Sequence, residues 1–180
     1  RKKTFFEDDL VAHVPMGHPT SLNLMNICEK SLIETQIDYH KGGTYVTMEG
    51  PQFSTLAESL LYRSCKADVI GMTNMPEAKL AREAEIRYSS IAMVTDFDCW
   101  HPDHDNVDVS MIVKTLQNNA ENAKKMISSI IQFYNDDVIL NDRIHKILDT
   151  SLITNINTVK DTTLKKLNHI ISRVAKNNEN

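Results

Sequence analysis

Apolar residues fall into two kinds of run along this chain: short and near-continuous, or long and spaced as on a helix face. Behind Pro19-Thr20-Ser21, the positions Leu22, Met25, Ile27, Leu32, Ile33 and Ile37 recur at roughly helical spacing and predict a helix. Gly42-Gly43 then introduce Thr44-Tyr45-Val46-Thr47-Met48, a β-branched and aromatic run that reads as a strand ending at Gly50-Pro51. Ser54-Thr55 stand where a cap belongs, with Glu58 in the first turn of a helix predicted from Leu56 to Cys65. The pattern repeats. Ala67 to Met72 predicts a short buried strand stopping at Thr73, and Pro76-Glu77 opens a helix to about Glu85. Arg87 to Thr95 predicts a third strand, whose run Ile91-Ala92-Met93-Val94-Thr95 has the composition of a strand buried on both faces. A long amphipathic helix follows from Val107 to about Phe133, carrying Met111, Ile112, Leu116, Ala120, Met126, Ile127 and Ile130. Regular alternation of strand and helix argues for an α/β sheet with helices on its faces and right-handed crossovers.

The two ends read differently. Val11 to Met16, interrupted by His13 and Pro15, suits an edge strand or a loop entering a site. Past Tyr134-Asn135-Asp136-Asp137 the composition shifts, and Val138 to Asp149 and Thr158 to Ala175 predict two more helices. Leu164, Leu167, Ile170, Ile171 and Val174 form a stripe on the second, read as a packing face. The expected division is a sheet domain over 1–133, a helical tail over 134–176 and a disordered end over 177–180, with Lys176 already in the unstructured stretch.

A length of 180 residues permits one full core, and a net charge of −4 gives no electrostatic pull toward nucleic acid or anionic membrane. No apolar run is long enough to span a bilayer. Cys28, Cys65 and Cys99 are odd in number and lack metal-ligand spacing, so they read as free thiols of a soluble, cytoplasmic protein, with Cys28 and Cys65 at small core positions. The opening on Arg1 without a methionine, followed by Lys2-Lys3, looks like the middle of a domain.

The predicted strand ends carry unusual chemistry. Glu49-Gly50-Pro51-Gln52-Phe53 places an acid and an aromatic ring at the first. Gly71-Met72-Thr73-Asn74 places a thioether and a hydroxyl at the second, near a helix start where anions bind well. Thr95-Asp96-Phe97-Asp98 gives two carboxylates at the third, which extended backbone would project the same way. Neighbouring carboxylates repel, so one is easily kept protonated to donate a hydrogen bond or a proton. Open α/β sheets bind ligands at such carboxyl edges. The inventory suits a purine nucleoside with an anion nearby. Each residue also has a plainer reading: a turn or cap for the two aspartates, core packing for Phe53, Met72 and Val109, a helix cap for Thr73, backbone contacts for Glu49. His101, Asp103 and His104 read as a solvated loop rather than a metal site, and Lys165-Lys166 as a solvated helix face.

Gly43 to Ser54, Ala57-Glu58-Ser59, Ala67 to Thr73, Pro76-Glu77 and Ala81-Arg82-Glu83-Ala84 closely resemble the trimeric purine nucleoside phosphorylase family, the match running from about His13 to Ile127. Ser90 to Trp100 is similar to the branch of that family acting on S-methyl-5′-thioadenosine. The resemblance implies a three-layer nucleoside-phosphorylase-like sheet with flanking helices, missing its first strands, and phosphorolysis to adenine and 5-methylthioribose 1-phosphate. By the same resemblance Asp96 bonds purine N7 and helps protonate the leaving base, and Asp98 meets the 6-amino side. Phe53 packs on the base, Met72 lies under the ribose and Thr73 contacts phosphate. Ser54 and Val109 mark the branch, Val109 standing where relatives read a ribose 5′-hydroxyl with histidine. His13 corresponds to a residue entering the 5′ pocket of a neighbouring subunit.

The same resemblance implies no metal or organic cofactor, phosphate as co-substrate and a homotrimer at full length, while the mild charge and the lack of a spanning run argue against a nucleic-acid or membrane partner. The family's early glycine-rich loop and its Arg-His pair have no counterpart in this sequence, so activity is expected to need an amino-terminal half. The tail after Phe133 is expected to depart from the family pattern. Two alternatives stay open: a phosphorylase preferring adenosine or inosine, and an inactive fragment that only binds purine or a partner subunit.

Overall fold

A computed structural model describes residues 2–101, 109–135 and 142–177. The elements in chain order are α1 (Leu22–Glu34), β1 (Tyr45–Thr47), α2 (Leu56–Ser64), β2 (Val69–Gly71), α3 (Glu77–Glu83), α4 (Val109–Phe133) and α5 (Asp161–Asn177), with 3₁₀ turns at Ile144–Asp149 and Ile156–Thr158. They form two compact units, one of residues 1–25, 75–90 and 135–180, the other of 26–74 and 91–134.

The first unit holds the larger apolar core. The stripe on α5 is a packing face, as its spacing predicts: Leu167, Ile171 and Val174 are buried with Phe6, Leu10 and Leu148. Each such side chain contributes about 1.5–3 kcal/mol by leaving water. Polar ties close the unit. Buried Arg82 donates to the carbonyls of Pro15 (3.0 Å) and His18 (2.7 Å), and buried Glu83 accepts from the Thr4 hydroxyl and the Phe5 amide, both at 2.7 Å. Arg87 and Asp142 pair at 2.7 Å. Ala12 makes an isolated antiparallel bridge to Leu152, which leaves Val11–Met16 nearer a loop than a strand. The helix expected over Val138 to Asp149 is, within the described residues, the 3₁₀ turn Ile144–Asp149, with the Ile144 amide donating to Asp142 at 3.1 Å. α5 runs on through Lys176 to Asn177, two residues expected to be unstructured; 178–180 lie outside the described residues. The expected tail is thus part of a packed unit with residues 1–25 and 75–90.

The second unit contains a β1–α2–β2 crossover. Its strands are parallel, pairing Tyr45 with Val69, Val46 with Ile70 and Thr47 with Gly71. Parallel neighbours require such a crossover, which is why the strand–helix–strand pattern was readable. α2 begins on a full capping box: Thr55 Oγ1 accepts from the Glu58 amide, and Glu58 accepts from the Thr55 amide at 2.8 Å. Those bonds, the Thr55 amide first and its hydroxyl second, hold the Glu58 carboxyl below the usual range. Lys30 of α1 sits 4.2 Å from the Phe133 ring centroid, joining α1 to the end of α4. On α4 the expected inward stripe is only half realised, with Met126 buried but Leu116 and Ile127 exposed. Cys28 is buried as expected, whereas Cys65 ends α2 and is exposed, because a C-cap position faces outward here.

The third strand is a correction. Residues 87–95 form no strand, and Val94, expected to be buried on both faces, is 58% exposed. Its carbonyl accepts instead from the Asn119 side chain on α4 at 3.1 Å. A strand exists only by pairing, and among the described residues the sheet contains β1 and β2 alone. None of the described helices is long and apolar enough to cross a membrane.

Candidate active site

The ends of β1 and β2 meet in the second unit, as their parallel pairing requires. Gly50, at φ +68°, follows β1, and a Cβ there would come 2.6 Å from the Met72 sulfur. The absent side chain therefore lets the Met72 thioether lie against the turn. Thr47 Oγ1 donates to the Thr73 carbonyl at 2.8 Å, and the Tyr45 hydroxyl lies 3.1 Å from Thr73 Oγ1. Thr73 is exposed and does not cap α3, whose first turn has no side-chain cap. Its plainer reading is thereby removed.

The acid-bearing loop reaches the first strand end through sulfur. The Cys99 thiol lies 3.6 Å from the Ser54 carbonyl, and the Ser54 hydroxyl in turn contacts the Met48 sulfur at 3.5 Å. Phe53, next to Ser54, is 85% exposed, a bare ring beside this junction. The loop has its own scaffold. Phe97 stacks on His101 (centroids 4.4 Å apart, planes at 17°) and meets Trp100 edge-on, while the Arg63 guanidinium of α2 lies 3.6 Å over the Trp100 ring.

Because residues 91–98 are not extended in a sheet, the strict alternation expected of Asp96 and Asp98 does not hold. Each carboxylate instead makes a local bond. Asp96 Oδ1 accepts from the Thr95 hydroxyl at 2.9 Å, and Asp98 Oδ1 accepts from the Cys99 amide at 2.8 Å. Asp96 is exposed and Asp98 half-buried. A carboxylate has two oxygens and about four acceptor positions, so each keeps capacity for a ligand.

The structure therefore brings Met72 and Thr73 to the end of β1, and joins the Phe53–Ser54 segment to the Asp96–Trp100 loop. Val109 begins α4. His13 belongs to the first unit, where it is exposed and its amide donates to the Ser151 carbonyl at 2.8 Å. Asp103 and His104 lie outside the described residues, and among the described residues no cluster of potential metal ligands occurs. Sequence reasoning missed Tyr45, Arg63 and Trp100 as supports. The one signal available was strand parity, which sets Tyr45 and Thr47 on the same face as Gly71.

Residues 1–132 match the Phosphorylase superfamily. An S-methyl-5′-thioadenosine phosphorylase of Rhodospirillum rubrum is 50% identical over 175 residues, covering 97% of this chain and 60% of that protein. Another, of Bradyrhizobium diazoefficiens, is 48% identical over 180 residues, covering 98% and 61%. A crystal structure of a methylthioadenosine phosphorylase from an antarctic soil metagenomic library is similar with a TM-score of 0.84 at 41% identity, over 94% of this chain and 60% of that one. A methylthioadenosine phosphorylase from Schistosoma mansoni in complex with adenine gives 0.70 at 26%, over 82% and 61%. The chain thus spans about 60% of the length of these relatives. The superfamily match ends at residue 132, at the expected departure after Phe133, whereas the alignments to the Rhodospirillum and Bradyrhizobium relatives extend over the tail.

Proposed function

The chain belongs to the phosphorylase superfamily, and from that premise we propose that it contributes the base and ribose side of a site for phosphorolysis of S-methyl-5′-thioadenosine. Phosphate oxygen attacks the anomeric carbon, the bond from that carbon to the purine nitrogen breaks, and its electron pair leaves with the base. The products are adenine and 5-methylthioribose 1-phosphate. Asp96 delivers a proton to purine N7 as charge builds on the leaving ring, which lowers the barrier by general acid catalysis. The Thr95 hydroxyl engages one oxygen of this carboxyl, which leaves the other for the base. Asp98 accepts from the 6-amino group, so the pair favours adenine over a 6-oxopurine.

Phe53 covers the purine face, and Met72 offers a soft surface under the ribose. Thr73 donates to the attacking anion. Ser54 and Val109 set the branch preference, with the apolar Val109 suiting a methylthio group where a hydroxyl would need a partner. His13 completes the 5′ pocket of a neighbouring copy in a homotrimer. The reaction calls for no metal or organic cofactor, because positioning an anion against a developing cation and protonating the base suffice. The setting is purine and methionine salvage in the cytoplasm, with no nucleic-acid or membrane partner.

The observation that carries this reading is the contact of the Cys99 thiol with the Ser54 carbonyl. It supports seating the two acids beside the aromatic ring that would cover a base. Turnover calls for sequence corresponding to the other part of the longer relatives. The test mixes the chain with the unmatched portion of the Rhodospirillum relative and follows adenine release from methylthioadenosine and phosphate. Release is expected from the mixture alone, and Asp96→Asn should lose it while gaining inosine cleavage. Turnover by the chain alone refutes the need for that portion. A mixture that binds adenine calorimetrically but never turns over reduces the role to purine binding.

A further inference from the structure

Strand parity sets Tyr45, Thr47, Val69 and Gly71 on one face of the β1–β2 pair, and Thr73 continues that period past the last paired residue of β2. Tyr45 pairs with Val69, so its side chain must run along the strands and cross Gly71 to reach Thr73. Gly71 permits this crossing, since a Cβ there would overlap the Tyr45 hydroxyl. The phenol ends 3.1 Å from Thr73 Oγ1, while Thr47 Oγ1 holds the Thr73 carbonyl at 2.8 Å. Strand β1 thus grips Thr73 by side chain and backbone together.

A threonine hydroxyl owns one proton and two lone pairs. To bind an anion it must spend the proton on the anion, and any other partner must then donate to it. The Tyr45 phenol has a proton to give. We propose that Tyr45 is a positioning residue for the oxyanion subsite, laid across Gly71 so that its phenol donates to Thr73 Oγ1 and keeps the Thr73 proton aimed at phosphate. This rests on the reading of Thr73 as a phosphate contact. Were the bond reversed, with Thr73 donating to Tyr45, the hydroxyl would face an anion with lone pairs only.

The test is residue-resolved NMR of the isotopically labelled full chain, mixed with the unlabelled unmatched portion of the Rhodospirillum relative and titrated with inorganic phosphate against chloride at matched ionic strength. In the wild-type chain the Thr73 amide shifts and saturates with phosphate. Thr73→Val abolishes the response. Tyr45→Phe keeps the ring and weakens phosphate by about three- to tenfold, as expected for one hydrogen bond. Gly71→Ala displaces the phenol without changing Tyr45 or Thr73 and gives a similar loss.

An unresponsive Thr73 amide in the wild-type chain, or a response that survives Thr73→Val, overturns the phosphate reading and this inference with it. A response removed by Thr73→Val but unchanged in Tyr45→Phe overturns the role of Tyr45 alone.

Discussion

Replacing Arg63 with alanine should loosen the loop that carries both candidate acids. The guanidinium lies 3.6 Å from the Trp100 centroid, and Trp100 meets the rings of Phe97 and His101 at 6.1 and 5.3 Å. Removing the cation therefore frees one end of a cluster spanning Phe97 to His101. At a half-buried ring such a contact is worth about 1 kcal/mol, within a range of roughly 0.5–2. That corresponds to about a fivefold rise in the open fraction of the loop, on a scale of about 1.4 kcal/mol per tenfold. Arg63 also stands in the last turn of α2, where a positive charge adds about 0.3–1 kcal/mol to the helix itself. Arg63→Lys separates the two effects, because lysine keeps the charge and loses the planar stacking. Trp100 is the single tryptophan of the chain, so its fluorescence reads this loop without labelling. Arg63→Ala should shift its emission to the red and raise acrylamide quenching, with Arg63→Lys in between. If Arg63→Ala lowers the melting temperature but leaves emission and quenching as in the parent, the stacked cation does not hold the loop and the reasoning fails.

Leu148 is fully buried among Phe6, Leu10 and the α5 stripe, so Leu148→Ala should cost about 2–5 kcal/mol, read as a lower urea midpoint at unchanged slope. A midpoint within error of the parent would mean the site collapses without a cavity. Asp9 accepts from the Thr163 hydroxyl at 2.5 Å and from the Lys160 amide at 2.9 Å, and these bonds hold its carboxyl below the ordinary range. A carboxylate depressed in the folded state stabilises fully above its unfolded value and loses that contribution as pH falls through the folded one. Asp9→Asn should therefore be less stable near neutrality and show a flatter acid limb in urea midpoints measured across pH. Parallel acid limbs in the two proteins would contradict this.

What could be read from sequence was local or periodic. Thr55 and Glu58 announce the start of α2 because a capping box is a matter of four neighbouring residues, and the α5 stripe announces its buried side by spacing alone. The β1–α2–β2 unit followed from two β-branched runs around a capped helix. Ile91 to Thr95 misled because an apolar run records a tendency to be covered, whereas a strand needs a partner's amides and carbonyls. Exposed Cys65 misled for a related reason: a small apolar residue at a helix end is compatible with either side of the surface. At the candidate site, residue types were legible and their supports were not. Tyr45 on Thr73 and Arg63 on Trp100 join positions 28 and 37 residues apart in the chain, and only the fold brings them together.

The first unit is stitched from three stretches of chain, and its interior joins Phe6 and Leu10 to Leu167 and Ile171. A polypeptide leaving the ribosome therefore exposes Leu10 long before α5 exists to cover it. At about 5–20 residues per second that wait is on the order of ten seconds, ample time for a chaperone or a second nascent chain to find the bare side chains. A stop codon anywhere ahead of α5 would leave that interior open for good, so α5 must be synthesised before this unit can close.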